Sequence, residues 1–239
     1  MSGALLPLPR LTATATLPRS RESKWEGAAL PEPLLDARGF AEIFAVSRET
    51  LARLEAYADL LIRWSARINL VGRDTLPDLW RRHMLDSAQL QPFVPDHARN
   101  LIDLGSGAGF PGLVLAILGV PEVELVEADS RKAVFLREAA RITATPVTIR
   151  PCRIAAVPPH EVDVVTARAL APLDRLLDLA RPFIGAGTVC LFPKGERVAQ
   201  ELTLARKDWT MTASTHHSVA DPRGVVLLLH EVAREPHEH

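Results

Sequence analysis

Cysteine is nearly missing from this chain: Cys152 and Cys190 are the two it has, and they form no Cys-x-x-Cys pair. That excludes a disulfide scaffold and a zinc-finger framework, and it suits a reducing cytoplasm. The eight histidines fall in no H-E-x-x-H or Cys/His ligand pattern, so no protein-bound metal is expected; His230, His237 and His239 read as loose surface. A strong net charge is lacking too, at −1 overall, so a nucleic-acid partner has to be met by local clusters. There is no internal repeat and no signal-peptide core ahead of a cleavage site. The best candidate for a membrane span, residues 101–120, is broken by Asp103, Pro111 and several glycines, which excludes a membrane partner by that route. Residues 1–40 carry Pro7, Pro9, Pro18, Pro31 and Pro33 with little periodicity and read as a flexible arm. Their acid-free start, with Arg10, Arg19 and Arg21, has only a faint transit-peptide character.

The remaining residues are patterned, and 47% apolar content over 239 residues suffices for one sizeable core. Leu51, Leu54, Ala58, Leu61, Ser65 and Ile68 recur at three- and four-residue steps behind Ser47, a fitting N-cap. Asn69 is a candidate C-terminal cap for this helix. A second helix is predicted over Pro77–Leu90, closed off by Pro92 and Pro95. Residues 41–95 thus form a helical N-terminal cap. From residue 96 to 239 strands and helices alternate. Strands are predicted at 101–104, 123–127, 146–150, 162–168, 188–192, 209–215 and 224–232, with helices at 112–119, 130–142, 173–183 and 196–208. This predicts an α/β fold with a mostly parallel seven-stranded sheet, helices on both faces and an antiparallel pair at one edge.

Asp103, Gly105, Gly107 and Gly109 stand where the first strand gives way to a turn. Ligands of such sheets bind there, outside the carboxyl ends of the strands. Glycine permits unusual dihedrals and close approach of a ligand to the main chain. Gly107, Gly109 and Gly112 also satisfy G-x-G-x-x-G, so a nicotinamide dinucleotide is an open alternative. Asp103 favours a different cofactor. A carboxylate beside the turn disfavours a pyrophosphate but suits S-adenosylmethionine, whose sulfonium and ammonium groups are cationic. Glu127, 22 residues after Gly105, can accept hydrogen bonds from ribose hydroxyls of either cofactor.

These segments occur in a telling order: NLVGRD (69–74), RRHMLDS (81–87), LIDLGSGAGFPGL (101–113), VELVEADSRKAVFL (123–136), TARALAPL (166–173) and FPKG (192–195). Over about residues 40–232 the chain resembles the ribosomal RNA small subunit methyltransferase G family, also called glucose-inhibited division protein B. The resemblance implies a class I S-adenosylmethionine-dependent methyltransferase fold (Rossmann-like) with a helical cap. It implies methyl transfer to N7 of a guanine in 16S ribosomal RNA, leaving S-adenosylhomocysteine, in a cytoplasmic monomer that meets the RNA or the small ribosomal subunit. Carried over by position, the cofactor contacts would be Gly105, Phe110, Glu127, Ile154, Ala155 and Arg168. The family tends to carry an acid after its Arg-Val step, where this chain has Arg153-Ile154 followed by Ala155 and Ala156.

The chemistry fits. Guanine N7 offers a free lone pair, so no proton must leave before attack and no general base is required. The [Asn/Asp]-Pro-Pro-[Tyr/Phe] turn used on exocyclic amines is absent after the fourth strand; Thr166-Ala167-Arg168 stands there instead. Cys152 follows the third strand, the wrong place for a nucleophile. Arg168 and Lys194 are the candidates for positioning the base or a phosphate, with an ion pair as the plain reading of each. His83 and Asp86 share a helix face, either bracing the cap against the cofactor turn, lining the RNA site or satisfying one another. Arg81 and Arg82, with Arg63, Arg67 and Arg73, face only Asp74 and Asp78 over residues 63–82, and Arg131 and Lys132 head a second basic stretch, 131–153, with a single acid, Glu138. Both suit phosphate contact. Trp64 and Trp80 read as packing residues. A small-molecule or protein acceptor, or a non-catalytic role in ribosome assembly, would leave the same turn intact.

Overall fold

The computed structural model describes residues 34–235. Most of the predicted arm, and His237 and His239, lie outside the described residues. The arm's last residues are not arm-like. Helix α1 (Ala37–Phe44) begins at Asp36, whose carboxylate accepts from Gly39 N at 2.7 Å. Phe40 is fully buried, stacked on Phe44 and tilted against Trp80. The cap therefore starts before residue 41, because a capped turn that buries a phenylalanine belongs to the core.

Helix α2 (Arg48–Ser65) starts as the sequence predicts, with Ser47 Oγ accepting from Thr50 N at 3.1 Å. Its C-cap is Ala66, so Asn69 lies three residues beyond and is not the cap. The single second helix is a correction. Residues Arg73–Asp78 form a 3-10 turn, Trp80–Leu85 a π-helical turn, Asp86–Ala88 a short α3, and Gln91–Phe93 another 3-10 turn. Pro77 sits inside the first of these, where the tighter turn tolerates it. The wider π turn is the kind of helix irregularity that gathers at functional sites.

The sheet follows. Strands β1 (Leu101–Leu104), β2 (Val123–Val126), β3 (Thr148–Arg150), β4 (Val162–Thr166), β5 (Ile184–Lys194), β6 (Trp209–His217) and β7 (Val225–Arg234) lie in the order β3-β2-β1-β4-β5-β7-β6. The first five are parallel, and β7 runs against both β5 and β6. Helices α4 (Gly112–Ile117), α5 (Ser130–Ile142), α6 (Leu173–Ala180) and α7 (Val198–Ala205) link the strands. His230 lies within β7, half-buried and with its pKa pushed down by that burial, which corrects its reading as loose surface.

Side chains alternate across β1, so Leu101 joins one core and Ile102 and Leu104 the other. The Leu101 face is shared with Phe40, Leu54, Leu61, Leu113 and Phe135, so cap and sheet have one continuous core. The opposite face packs Val165, Cys190 and Phe192 on Leu173, Leu177 and Ala205 of α6 and α7. Cys190 is fully buried there with its thiol pushed up to about 12, an inert apolar residue. Trp64 packs edge-on against Phe135, and Trp80 tilts against Phe40.

Candidate active site

Strand order reverses between β1 and β4, so the chain winds outward in opposite directions from this seam. A crevice opens at such a switch point between the loops that leave the two strands. Here these are the turn 105–111 and the strap 167–172.

The turn needs its glycines. Gly105, Gly107 and Gly109 have φ of +67°, +58° and +96°. Gly112 needs space instead, for a Cβ there would stand 2.5 Å from Leu125 Cδ2 and 2.7 Å from Asp103 Cβ. Asp103 lies beneath the turn and is fully buried. Its Oδ1 accepts from the Thr166 hydroxyl at 2.9 Å and its Oδ2 from Gly112 N at 3.2 Å. Burial raises its pKa to about 6 against the opposing pull of Ser106, Thr166, Gly112 and Arg168. Buried there, it can reach a ligand only through its field and through the shape it gives the turn.

Glu127 stands across from it. Its Oε2 accepts from Gly107 N at 2.8 Å and its Oε1 from Asp129 N at 2.7 Å. A carboxylate has about four acceptor sites, so each oxygen retains one for a hydroxyl. Beyond β3, half-buried Ile154 and exposed Ala155 form a 3-10 turn at the same edge of the sheet. These residues can cradle a nucleoside: main chain at the glycines, acceptors at Glu127, an apolar edge at Ile154.

The cap grips this turn. The Tyr57 hydroxyl on α2 donates to the Ala108 carbonyl, and burial raises its pKa well above the usual phenol range. Phe110, 3% exposed, packs on Tyr57 and His83 with ring centroids 5.3 and 5.0 Å away. Its ring being enclosed, any cofactor contact at Phe110 falls to its main chain. Tyr57 is a residue the sequence reasoning missed. Its signal was present: the chain's single tyrosine lies on an apolar helix face, and a buried phenol needs a partner.

Arg168 lies two residues beyond β4 and ties the strap to the cap. Its Nη1 donates to the Asp86 carboxylate and the Arg82 carbonyl, both at 3.1 Å, and its Nη2 to His83 Nδ1 at 3.0 Å. A guanidinium has no acceptor, so His83 Nδ1 must be the bare nitrogen. Nε2 then carries the proton and donates to Thr75 Oγ1 at 2.7 Å, and the Thr75 hydroxyl donates to Gly72 O at 2.7 Å. Burial, then the nearby Arg168 and Arg82 charges, push the His83 pKa down to about 3. Asp86 is raised by burial while Arg168 pulls it back. His83 and Asp86 therefore do not satisfy one another. They brace Arg168 together, and Arg168 also lies 4.9 Å above the Phe110 ring.

Lys194 is the last residue of β5, not part of a turn after it. Its ammonium donates to Glu201 Oε2 at 2.8 Å and to Ala171 O at 3.1 Å, and Glu201 Oε2 also accepts from Leu173 N at 3.0 Å. It anchors the far end of the strap, so the ion-pair reading is the one its geometry supports. Nothing in the sequence pointed to Glu201.

The basic stretches differ from their charge counts. In 131–153, Arg131 pairs with Asp129, Arg141 with Glu138 and Arg150 with Glu124. Lys132, Arg137 and Arg153 remain without an ion pair to another described residue. In 63–82, Arg82 pairs with Asp221 and Arg81 lies 3.4 Å from Asp78. Arg63, Arg67 and Arg73 are exposed and unpaired among the described residues. Arg73 heads the 3-10 turn that carries Thr75, the hydroxyl bonded to His83.

The family model for rRNA small subunit methyltransferase G matches residues 50–225. A ribosomal RNA small subunit methyltransferase G of Paramagnetospirillum magneticum is 61% identical over 204 residues, covering 85% of this chain and 97% of that one. Its counterpart in Rhodospirillum centenum is 55% identical over 204 residues, covering 85% and 94%. In fold, the chain resembles M. jannaschii TYW2 in complex with AdoMet, with a TM-score of 0.51, 16% identity, and coverage of 71% of this chain and 80% of that one.

Proposed function

The chain belongs to the rRNA small subunit methyltransferase G family, and on that premise we propose that it methylates N7 of a specific guanine in 16S rRNA, with S-adenosylmethionine as donor. The family sets aside the nicotinamide alternative. The observation that carries the donor half is the turn itself: three left-handed glycines flanked by Asp103 and Glu127. Gly105, Gly107 and Gly109 would meet the donor with main chain, Glu127 would take its ribose hydroxyls, and Ile154 and Ala155 would border its adenine. Held there, S-adenosylmethionine would supply an electrophilic methyl for the N7 lone pair with its own sulfur as leaving group, so no protein side chain would have to take a proton.

What remains for the protein is alignment, and well-oriented reactants can gain roughly 7–11 kcal/mol from it. Arg168 is preorganised for that task, with its guanidinium fixed by His83, Asp86 and the Arg82 carbonyl. It positions the strap beside the acceptor and sets a cation near guanine O6. Arg63, Arg67 and Arg73 on the cap, and Lys132, Arg137 and Arg153 on α5 and beyond β3, would meet phosphates. On this reading the protein works as a cytoplasmic monomer on 16S rRNA or on the small subunit that contains it. Mass mapping of 16S rRNA, free and in intact small subunits, after incubation with isotopically labelled donor tests it. One 7-methylguanosine is expected; a labelled small molecule or protein in its place sinks the reading.

A further inference from the structure

At the switch point the two loops meet where Arg168 lies over the Phe110 ring and where Leu170 reaches Gly105. Leu170, half-buried near the apex of the strap, places its Cδ1 2.7 Å from where a Cβ on Gly105 would stand. Gly105 is thus required for its φ, and the tip of Leu170 fills the room that a Cβ there would take. The strap that carries Leu170 is pinned on both sides. Arg168 holds one end to His83, Asp86 and Arg82, while Lys194 and Glu201 hold Ala171 and Leu173 at the other. Between them Ala169 adopts φ +52°, a conformation that a non-glycine residue keeps only where its surroundings enforce it. The fold therefore delivers Leu170 to Gly105 by design of its anchors.

The donor-side groups, Gly105, Gly107, Glu127 and Ile154, all follow β1, β2 and β3. The acceptor must then approach from the β4 side, across the line where Leu170 stands. Attack by N7 needs no base, so a side chain on that line has only to place the ring and keep water away. A branched apolar group does both.

We infer that Leu170 is a positioning residue for the acceptor: wedged between the β4 strap and Gly105, it packs against the incoming guanine and sets its distance from the donor. This rests on the reading of the chain as a guanine-N7 methyltransferase.

The test uses the full-length protein and unmethylated small subunits or 16S rRNA. Leu170→Ala and Leu170→Met are compared with wild type in three measurements, with melting temperature as the check on folding. Expected for Leu170→Ala is a fall in kcat of roughly 10- to 100-fold, since small misplacements cost that much. S-adenosylhomocysteine affinity by calorimetry should stay within about twofold of wild type, because truncating Leu170 leaves the Gly105 main chain and its φ of +67° in place. The third readout needs no turnover: dimethyl sulfate alkylates exposed guanine N7. In the complex with S-adenosylhomocysteine the target guanine should be protected by wild type and by Leu170→Met, and exposed with Leu170→Ala. Leu170→Met should also recover most of kcat. Unchanged kcat and protection in a folded Leu170→Ala protein overturn the inference, as does a large loss of S-adenosylhomocysteine affinity, which would put Leu170 on the donor side. A wild-type protein that transfers nothing to 16S rRNA overturns the underlying reading itself.

Discussion

The turn after β1 and the strap after β4 line the same crevice, yet they are secured in different ways. The turn takes its shape mainly from neighbours in the chain, namely the glycines at 105, 107 and 109, the Ser106 hydroxyl on Asp103 O at 2.9 Å and Asp103 on Gly112 N, with the Tyr57 hydroxyl on Ala108 O and Glu127 on Gly107 N as its distant ties. The strap is held from a distance, by cap residues Arg82, His83 and Asp86 and by Lys194 and Glu201. The difference teaches where each half is vulnerable. The donor half should respond to changes within its own segment, and the acceptor half to changes in elements remote from it.

Acidification separates the halves most strongly. The His83 pKa is lowered from 6.5 to about 3, so its contribution to stability is present above 6.5 and is lost as pH falls toward 3. At about 1.4 kcal/mol per pKa unit, this loss reaches roughly 3–5 kcal/mol. Asp103 runs the opposite way. Its folded pKa is raised from 3.8 to about 6, so the folded state takes up a proton first and gains relative stability as pH falls through that window. Urea unfolding of wild type and His83→Asn across pH 3–7 measures the difference. Equal pH slopes in the two proteins would break the comparison on the acceptor side.

Arg168→Ala comes next. It strands Asp86 and leaves His83 Nδ1 without its donor, a loss of roughly 2–4 kcal/mol for a partly buried pair. Methyl transfer should fall by roughly 100-fold or more as the strap loses its cap-side anchor. Arg168→Lys should recover little, since a single ammonium nitrogen cannot reproduce the rigid fork whose two nitrogens reach Asp86 and His83. Donor affinity should change far less than turnover. A collapse of donor affinity with turnover intact at saturation would merge the two halves into one.

On the donor side, the position of Asp103 alters what a substitution there does. Sequence alone suggests that Asp103→Ala weakens donor binding more than folding. In the structure the same change leaves Gly112 N–H and the Thr166 hydroxyl without their acceptor, a destabilisation of roughly 1–3 kcal/mol. Asp103→Asn keeps one oxygen acceptor and separates charge from shape. Donor affinity in wild type should decline as pH falls through about 6 and be flat in Asp103→Asn, because only the ionised acid attracts a cation. Calorimetry in buffers of different ionisation enthalpy should show a proton released on binding near pH 6 in wild type alone.

The same contrast explains what could be read from the sequence. Strand–helix alternation, the Ser47 and Gly105 positions and the acid at Glu127 are local patterns, and the structure has them where they were expected. Local periodicity could not reveal that 77–90 breaks into 3-10, π and α turns, because the irregularity serves contacts with Arg168, 82 to 86 residues away. Nor could it show Lys194 meeting Glu201 or Leu170 meeting Gly105, which depend on how loops from separate strands converge. Charge counting failed for a related reason. Arg150 is neutralised by Glu124 on the adjacent strand, outside the window in which it was counted.

That miscount leads to the smallest expected effect. Arg141 is 71% exposed and pairs with Glu138 one turn away, so Arg141→Ala should leave both stability and RNA binding nearly unchanged. Arg73→Ala, also on an exposed residue but one without an ion pair among its described neighbours, should weaken RNA binding measurably. If Arg73 contacts one phosphate, the slope of log affinity against log salt should drop by roughly 0.7–0.9. Filter binding to a 16S rRNA fragment over a salt series reads both numbers. A steeper loss for Arg141 than for Arg73 would mean that RNA tracks α5 rather than the cap. The phosphate path would then lie on the donor side of the crevice, and the division between a locally shaped donor half and a remotely anchored acceptor half would no longer coincide with the division between donor and RNA.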